Sequence, residues 1–216
     1  MKILMAGTTG LVGSIVRDGL LNDSNVSKII SVQRRPEKGL SPKFQAVTVP
    51  VPDLLKQDNC YEGDVAICCL GTTLKKAGSV EKFRQVDHDL VVDFATLALR
   101  SGVKTFLVMS SIGANLLSKN AYLRIKGEME RDLEEIGFES LVIFRPSLLL
   151  GKRSEKRFLE SIAISLFPFY RVFFRGFLKE KMPISARRVA ERILQFVHES
   201  SQGTRRVSNL ELLDEG

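Results

Sequence analysis

The sequence KILMAGTTGLVGS, residues 2–14, joins a short apolar run to a helical segment through Gly7, Gly10 and Gly13. A helix N-terminus offers free backbone N–H groups and the positive end of the helix dipole, so a diphosphate binds well there. A Cβ atom at the turn would block that close approach. The spacing GxxGxxG is looser than the GxGxxG fingerprint, and the alternative is a tight turn that only spares the backbone. Its position directly after the first apolar run favours a dinucleotide site.

Apolar runs of strand length alternate with segments of helical periodicity along the chain. The runs are rich in Val, Ile and Leu, as in strands covered on both faces, and lie at 2–6, 28–33, 44–49, 64–70, 105–110 and 140–144. Helices are predicted at 11–21, 80–100, 119–136 and 185–199. The alternation predicts an α/β fold with a doubly wound (Rossmann), mostly parallel sheet and helices on both faces. We expect residues 1–216 to form a single NAD(P)-binding domain, with 151–185 as a less regular segment on the substrate side.

Composition bounds the class of protein and its surroundings. The chain has 216 residues, 44% hydrophobic and 26% charged, which is typical of a globular protein and not of a disordered one. Cys60, Cys68 and Cys69 lack the spacing of a disulfide framework or a zinc site, so we expect a reducing, cytoplasmic location and no metal. No apolar run approaches the roughly 20 residues of a membrane span. The net charge of +7 permits an anionic partner, but no nucleic-acid-binding module is recognised.

The second apolar run ends in Gln33-Arg34-Arg35-Pro36, where an NAD site places a carboxylate for the 2′-hydroxyl of the adenosine ribose. A carboxylate repels the 2′-phosphate of NADP(H), whereas a guanidinium pairs with it, often through two hydrogen bonds. Arg34 and Arg35 therefore predict NADP(H) as the cofactor. The alternative is a solvated basic loop.

A serine, a tyrosine and a lysine follow the fifth apolar run in an order that suits proton transfer. Ser110 and Ser111 end the run, and Tyr122 and Lys126 lie four residues apart on one face of the next predicted helix. A nearby ammonium stabilises a phenolate, so the pair could donate a proton to a carbonyl oxygen while NADPH delivers hydride to its carbon. The alternative is a YxxxK spacing of the kind that surface helices carry by chance.

Together these motifs resemble a known family, the atypical, NAD(P)H-binding branch of the short-chain dehydrogenase/reductase superfamily. The resemblance runs through residues 3–200 and is carried by GTTGLVG (7–13), CLGTT (69–73), MSSIGAN (109–115), YLRIKGEME (122–130) and FRPSLLLG (144–151). The CLGTT segment followed by KAG and VD is fairly specific, whereas GxxGxxG is not. The resemblance implies a Rossmann fold and oxidoreductase chemistry with a nicotinamide cofactor.

The resemblance also implies roles for particular residues. Ser111, with Ser110 as a rival, is the expected catalytic serine, Tyr122 the acid–base residue, and Lys126 its partner. The implied cofactor contacts are Gly7, Thr9, Gly10, Leu11, Val12 and Gly13 in the turn, Arg34 and Arg35 at the 2′-phosphate, Asp53 near the adenine, Leu70, Gly71 and Thr72 beside the ribose, Tyr122 and Lys126, and Arg145, Pro146 and Ser147 beside the nicotinamide. Two departures are visible: Ala6 replaces the usual threonine, and the asparagine that many members carry is not evident on the helix at 80–100.

The other polar side chains are interpreted as structural. With two histidines and no HExxH motif, no metal site is expected. Solvated helix positions are predicted for His88, His198 and the acid pairs Asp87/Asp89 and Glu134/Glu135. Core positions are predicted for Cys68 and Cys69.

Residues 158–177 hold six of the thirteen phenylalanines, interleaved with arginine. Four interpretations stay open: plain core packing, a lid over the substrate pocket, a surface for a homodimer or a protein partner, and a membrane-surface contact. The lid is the favoured functional hypothesis.

Two functions follow from these observations. The first is an NADP(H)-dependent oxidoreductase that transfers hydride to or from a carbonyl or alcohol whose identity the sequence does not give. The second is an NADPH-binding, redox-sensing regulator that acts through a partner surface, because a mammalian member of this branch is described as a regulator. A nucleoside-diphosphate-sugar epimerase ranks third, since the chain is short for a sugar-nucleotide lobe.

Overall fold

The computed structural model describes residues 1–34, 41–49, 61–151, 176–199 and 201–214. Seven of its strands form one sheet in which every pairing is parallel, in the order β3-β2-β1-β4-β5-β6-β9. These strands are β1 (Lys2–Ala6), β2 (Lys28–Gln33), β3 (Phe44–Thr48), β4 (Val65–Cys68), β5 (Thr105–Met109), β6 (Ser140–Phe144) and β9 (Gly203–Val207). The predicted doubly wound, parallel α/β fold is confirmed.

The four predicted helices are present, one of them interrupted, and two short helices were not predicted. The helices are α1 (Leu11–Asn22), α2 (Leu74–Ala77), α3 (Val80–Arg84), α4 (Leu90–Arg100), α5 (Ala121–Ile136), α6 (Ala186–Phe196) and α7 (Asn209–Leu213), of which α2 and α7 were not predicted. The predicted helix at 80–100 is divided by a π-helical turn, Gln85–Asp89, between α3 and α4. Gly102 and Gly137 adopt positive φ angles of 79° and 83° just after α4 and α5, which explains why glycine ends both helices.

Alternate residues of β1 enter two separate cores, because successive side chains of a strand point to opposite faces of the sheet. Ile3 and Met5 pack on the face covered by α1 and α6. Leu4 and Ala6 pack on the opposite face, which α4 and α5 cover. The apolar runs lack polar alternation because both faces are buried.

The strand order reverses next to β1, and this reversal fixes the place of a ligand site. The chain leaves β1 for β2 and β3 and then crosses back to β4 on the other side. In open parallel sheets, ligands bind beyond the carboxyl ends of the strands at such a switch point. The loops after β1, β4, β5 and β6 therefore meet at one end of the sheet.

A short strand pair, β7 (Leu149–Leu150) with β8 (Ile184–Ser185), lies beyond β6, and a 3-10 helix, Gly176–Lys181, precedes β8. Nearly all of the segment interpreted as a lid, 158–177, lies outside the described residues. Among the described residues, no helix is long and apolar enough to cross a membrane.

Candidate active site

The glycine turn after β1 brings the backbone close to the next strand and helix. Gly7 has a φ of +84°, and a Cβ atom there would lie 2.5 Å from the carbonyl carbon of Cys69. A Cβ atom at Gly13 would lie 2.0 Å from the oxygen of Gly7. Gly7 and Gly13 are therefore required for packing, and this packing seats the N-terminus of α1 directly on the sheet.

Gly10 is the N-cap of α1, and no side chain of the described residues caps this helix. The Gly10 amide donates to the oxygen of Gly7 over 3.0 Å, which closes the turn. The next amides, of Leu11 and Val12, belong to the first turn of the helix, whose N–H groups have no partner within the helix. A turn without side chains in front of free amides fits the diphosphate of a dinucleotide.

Two cavities lie along the carboxyl end of the sheet and share part of their walls. One, of about 190 Å³, lies beside the glycine turn and the end of β2. The other, of about 520 Å³, extends towards the loops after β5 and β6. Both are lined by Gly10, Cys69, Leu70 and Gly71, so they form one cleft that runs past the start of α1.

The cleft brings together most of the residues that the sequence singles out. The smaller cavity is lined by Gly7, Thr9, Gly10, Arg34, Leu70 and Gly71. The larger is lined by Gly10, Leu11, Val12, Leu70, Gly71, Thr72, Ser111, Tyr122, Lys126, Pro146 and Ser147. Gly13 lies behind the turn, and Arg35 and Asp53 lie outside the described residues.

Arg145 differs from its neighbours in the chain. It is not among the described residues that line either cavity, because its guanidinium turns to Glu130, with Nε 3.0 Å from Oε1. Pro146 and Ser147 do line the larger cavity, and the Ser147 hydroxyl donates to the backbone oxygen of Met182.

Tyr122 and Lys126 reach the cleft because of how α5 begins. Asn120 caps the helix, and its Oδ1 accepts the Tyr122 amide over 2.9 Å. The Tyr122 ring packs against Phe83, with 5.2 Å between ring centroids. One helical turn later, Lys126 is buried against the end of β5 and donates to the oxygen of Met109 over 3.4 Å.

Asp87, in the π-helical turn, is a functional candidate that the sequence interpretation misses. It was predicted on an exposed helix face, but its side chain is 2% exposed, and its Oδ1 lies 2.8 Å from Nζ of Lys126. Its Oδ2 accepts the Thr72 amide over 2.7 Å. A signal for burial exists, because Phe83, Asp87 and Val91 are spaced by four, so Asp87 falls in the apolar stripe.

The two serines at the end of β5 are differently engaged. The Ser110 hydroxyl donates to Glu130, a carboxylate of α5 that is buried and that also binds Arg145. The Ser111 hydroxyl makes only a 3.3 Å contact with the oxygen of Ile112. Both serines line the larger cavity, and this arrangement favours Ser111 as the hydroxyl that meets a substrate.

His88 was predicted to be solvated, and this prediction is wrong. The His88 side chain is 8% exposed, and its ring lies between two carboxylates, 2.8 Å from Asp89 and 3.0 Å from Asp132. The contact with Asp132 joins the π-helical turn to α5. Among the described residues, no group of acidic, histidine or cysteine side chains could hold a metal ion.

The two thiols near the cleft differ in exposure: Cys68 is buried, whereas Cys69 is half-buried and lines both cavities. Burial raises the pKa of Cys68 to about 12, which keeps its thiol protonated at neutral pH. The pKa of Cys69 is raised by the same cause. The core position predicted for Cys68 agrees with this environment, while Cys69 packs at the edge of the core.

Comparisons with known proteins identify the family. The model of the HIM1 family matches residues 40–174, more than half of the chain. Protein HTATIP2 of Rattus norvegicus is 37% identical over 170 residues, covering 77% of this chain and 70% of that protein. Protein fmp52 of Emericella nidulans is 34% identical over 169 residues, covering 75% of this chain and 72% of its own.

These relatives contradict the cytoplasmic location expected from the cysteines. The proteins of Emericella nidulans and Candida albicans are named mitochondrial. A lack of disulfide spacing agrees with any reducing compartment and does not distinguish one reducing compartment from another. The prediction of a cytoplasmic location is therefore wrong.

The solved structures agree on the fold. MoeE5, in complex with UDP-glucuronic acid and NAD, superposes with a TM-score of 0.70 over 96% of this chain and 75% of that chain, at 13% identity. At that identity the likeness concerns architecture alone. The chain belongs to the HIM1 family, and its relatives and its fold support the resemblance to the atypical branch of the short-chain dehydrogenase/reductase superfamily.

Proposed function

We propose that this protein is an NADP(H)-dependent oxidoreductase that transfers hydride to or from a carbonyl or alcohol substrate. One observation carries the proposal: a single cleft runs from the glycine turn, past the start of α1, to Ser111, Tyr122 and Lys126. A cofactor along this path has its diphosphate at the turn and its reactive ring in the larger cavity.

The proposed cofactor is a dinucleotide because it would have to reach both the glycine turn at the start of α1 and the larger cavity. The free amides at the start of α1 and the bare turn at Gly10 suit a diphosphate. Leu70, Gly71 and Thr72, after β4, line the larger cavity at its junction with the turn. A nicotinamide dinucleotide, when bound, supplies or accepts the hydride. The NAD found in the complex of MoeE5 supports this cofactor class.

The preference for NADP(H) is proposed from the end of β2. Arg34 is exposed and lines the smaller cavity beside Gln33, and no carboxylate is among the described residues that line it. A guanidinium at this position attracts a 2′-phosphate, whereas a carboxylate would repel it. Arg35, the next residue, shares this proposed role.

The proposed chemistry rests on three side chains. Tyr122 donates its phenolic proton to the carbonyl oxygen in the reducing direction and recovers it in the other. Lys126 stabilises the phenolate by its charge. Ser111 donates a hydrogen bond to the same oxygen and so orients the carbonyl. The support for Ser111 over Ser110 is that the Ser110 hydroxyl is already bound to Glu130.

Cofactor binding tests the proposal without a known substrate. We expect NADPH to bind more tightly than NADH in a fluorescence titration. Arg34→Ala should weaken NADPH binding about 10- to 100-fold, as for the loss of a hydrogen bond to a charged group, and leave NADH binding unchanged. Arg187→Ala is the matched control, because Arg187 is 82% exposed on α6 and does not line the cleft. Equal affinity for both cofactors, unaffected by Arg34→Ala, contradicts the 2′-phosphate assignment.

Turnover separates an enzyme from a regulator. With a panel of carbonyl substrates, we expect the wild-type protein to oxidise NADPH. The Tyr122→Phe variant should lose this activity but bind NADPH nearly as well as the wild-type protein. The regulator is favoured instead if two results are found together. The protein then binds NADPH but reduces no member of the panel, and removal of residues 158–177 abolishes its interaction with a partner.

A further inference from the structure

We infer that Asp87 is a positioning residue of the proposed active site, whose carboxylate ties Lys126 to the backbone of the loop after β4. The inference rests on the proposed function for its catalytic meaning. That Asp87 holds Lys126 against this loop rests only on the contacts of the buried carboxylate. The asparagine that many members of the resembled family carry is not evident on this helix, where Asp87 contacts Lys126 directly.

Both oxygens of Asp87 are committed, and each holds a different part of the cleft. Oδ1 lies 2.8 Å from Nζ of Lys126, on α5. Oδ2 accepts the Thr72 amide over 2.7 Å, in the loop that the larger cavity shares with the glycine turn. One carboxylate therefore fixes the position of the lysine relative to the loop proposed to lie beside the cofactor.

The requirement is for a carboxylate and not for any polar group. Two N–H donors, one from Lys126 and one from Thr72, converge on the side chain of Asp87, so two acceptor atoms are needed. An asparagine side chain offers one acceptor and one donor. It would therefore leave one of the two contacts unmade and place an NH₂ group against a second donor.

Burial makes the loss of either contact costly. The side chain of Lys126 is 4% exposed and that of Asp87 is 2% exposed, so water does not replace a lost partner easily. The remaining described contact of the ammonium, 3.4 Å from the Met109 oxygen, is long for a strong hydrogen bond. Without the carboxylate, the ammonium loses its main anchor.

The π-helical turn explains how Asp87 reaches α5. Adjacent residues of an α-helix point about 100° apart, and a π-helical turn holds more residues and so brings neighbouring side chains closer in direction. Here Asp87 contacts Lys126, and the adjacent His88 contacts Asp132, both on α5. The wider turn aims two consecutive side chains at one helix, and π-helical turns of this kind are frequent at functional sites.

The test follows the ammonium of Lys126 directly, by NMR of protein labelled with ¹⁵N-lysine. We expect a Nζ signal that is protected from exchange with water, assigned by its loss in Lys126→Arg. Lys104, with a side chain 71% exposed, is the internal reference for an unprotected ammonium. In Asp87→Asn we expect the exchange of the Lys126 ammonium to rise at least tenfold. A Lys126 ammonium that exchanges as fast as that of Lys104 in the wild-type protein overturns the inference, even if Asp87→Asn does not fold.

A second measurement links the contact to the cleft. Asp87→Asn should weaken NADPH binding about tenfold or more, because one buried donor is left unsatisfied. Asp89→Asn, the same change two residues along in the same turn, is the control and should leave NADPH binding within twofold. If wild-type protein binds no NADPH, the proposed function fails while the exchange experiment still decides on Asp87. If NADPH binds equally to wild type and Asp87→Asn and the ammonium signal is unchanged, the positioning role alone is wrong.

Discussion

Replacing Glu130 by glutamine should destabilise the protein far more than the same change at Glu134, one turn further along α5. The Glu130 side chain is 3% exposed and binds the Ser110 hydroxyl and the guanidinium of Arg145. Glutamine has nearly the same shape, but its NH₂ group would face donors of Ser110 or Arg145. The change therefore removes a charge and creates a donor–donor conflict in a buried place.

The magnitude follows from the geometry. At the 3.0 Å separation of Arg145 Nε and Glu130 Oε1, an effective dielectric constant of about 20 gives a Coulomb attraction of about 5–6 kcal/mol. Desolvation of the two ions opposes most of this attraction in the intact pair. Removing one partner of a fully buried pair costs about 3–5 kcal/mol. Arg145 is 29% exposed and regains some water, so we expect a loss of about 2–4 kcal/mol.

Urea denaturation provides the assay, with the free energy of unfolding compared at an unchanged m value. Glu134 pairs with Arg206 at the surface, where the two side chains are 34% and 40% exposed. Nε of the same Arg206 also lies 3.4 Å from Oε2 of Glu130, so the loss at Glu130 includes this weaker contact. Glu134→Gln should therefore cost less than about 1 kcal/mol. Equal losses for the two variants, or a loss below about 0.5 kcal/mol for Glu130→Gln, would show that burial does not set the energetics of this network.

Three further predictions concern the glycine turn, the core and the response to acid. Gly13→Ala should cost at least about 3 kcal/mol by urea denaturation, because its Cβ would lie 2.0 Å from the oxygen of Gly7; a smaller loss would mean that the turn is adaptable. Phe106→Ala, at a fully buried position of β5, should cost about 3–5 kcal/mol in the same assay. The Asn25 amide holds the pKa of Asp23 below its ordinary value, so Asp23 stabilises the fold above about pH 4 and this contribution is lost as the pH falls through the folded-state pKa. Asp23→Asn should therefore flatten the acid limb of a stability–pH curve, and an unchanged limb would contradict the assignment.

The parts of the fold that sequence patterns predict well are those whose signals are local. The apolar run at 2–6 and the three glycines after it define β1, the turn and α1 without reference to distant residues. The strand β9, Gly203–Val207, shows the opposite case. Its sequence GTRRV has four exposed positions because it lies at the sheet edge, so it carries no apolar run. Its pairing with β6 is visible only in three dimensions.

The site divides in the same way. Tyr122 and Lys126 are predictable because their spacing places them on one helix face. The sequence pattern did not predict the environments of Asp87, His88 and Arg145, because these environments depend on partners far along the chain. Asp87 and His88 look like ordinary polar residues until the π-helical turn aims both at α5.

The position of α5 connects these observations. Lys126 and Glu130 lie four residues apart on its buried face, and each binds a different neighbour: Lys126 binds Asp87, and Glu130 binds Arg145 beyond β6. Apolar residues at these positions would fill the space but would tolerate small rotations of the helix. A rotation of α5 by one residue, about 100°, would separate both pairs at once and leave their charges unpaired. The same face carries Tyr122, so the pairs that fix the rotation of α5 also fix the direction in which the phenol enters the cleft.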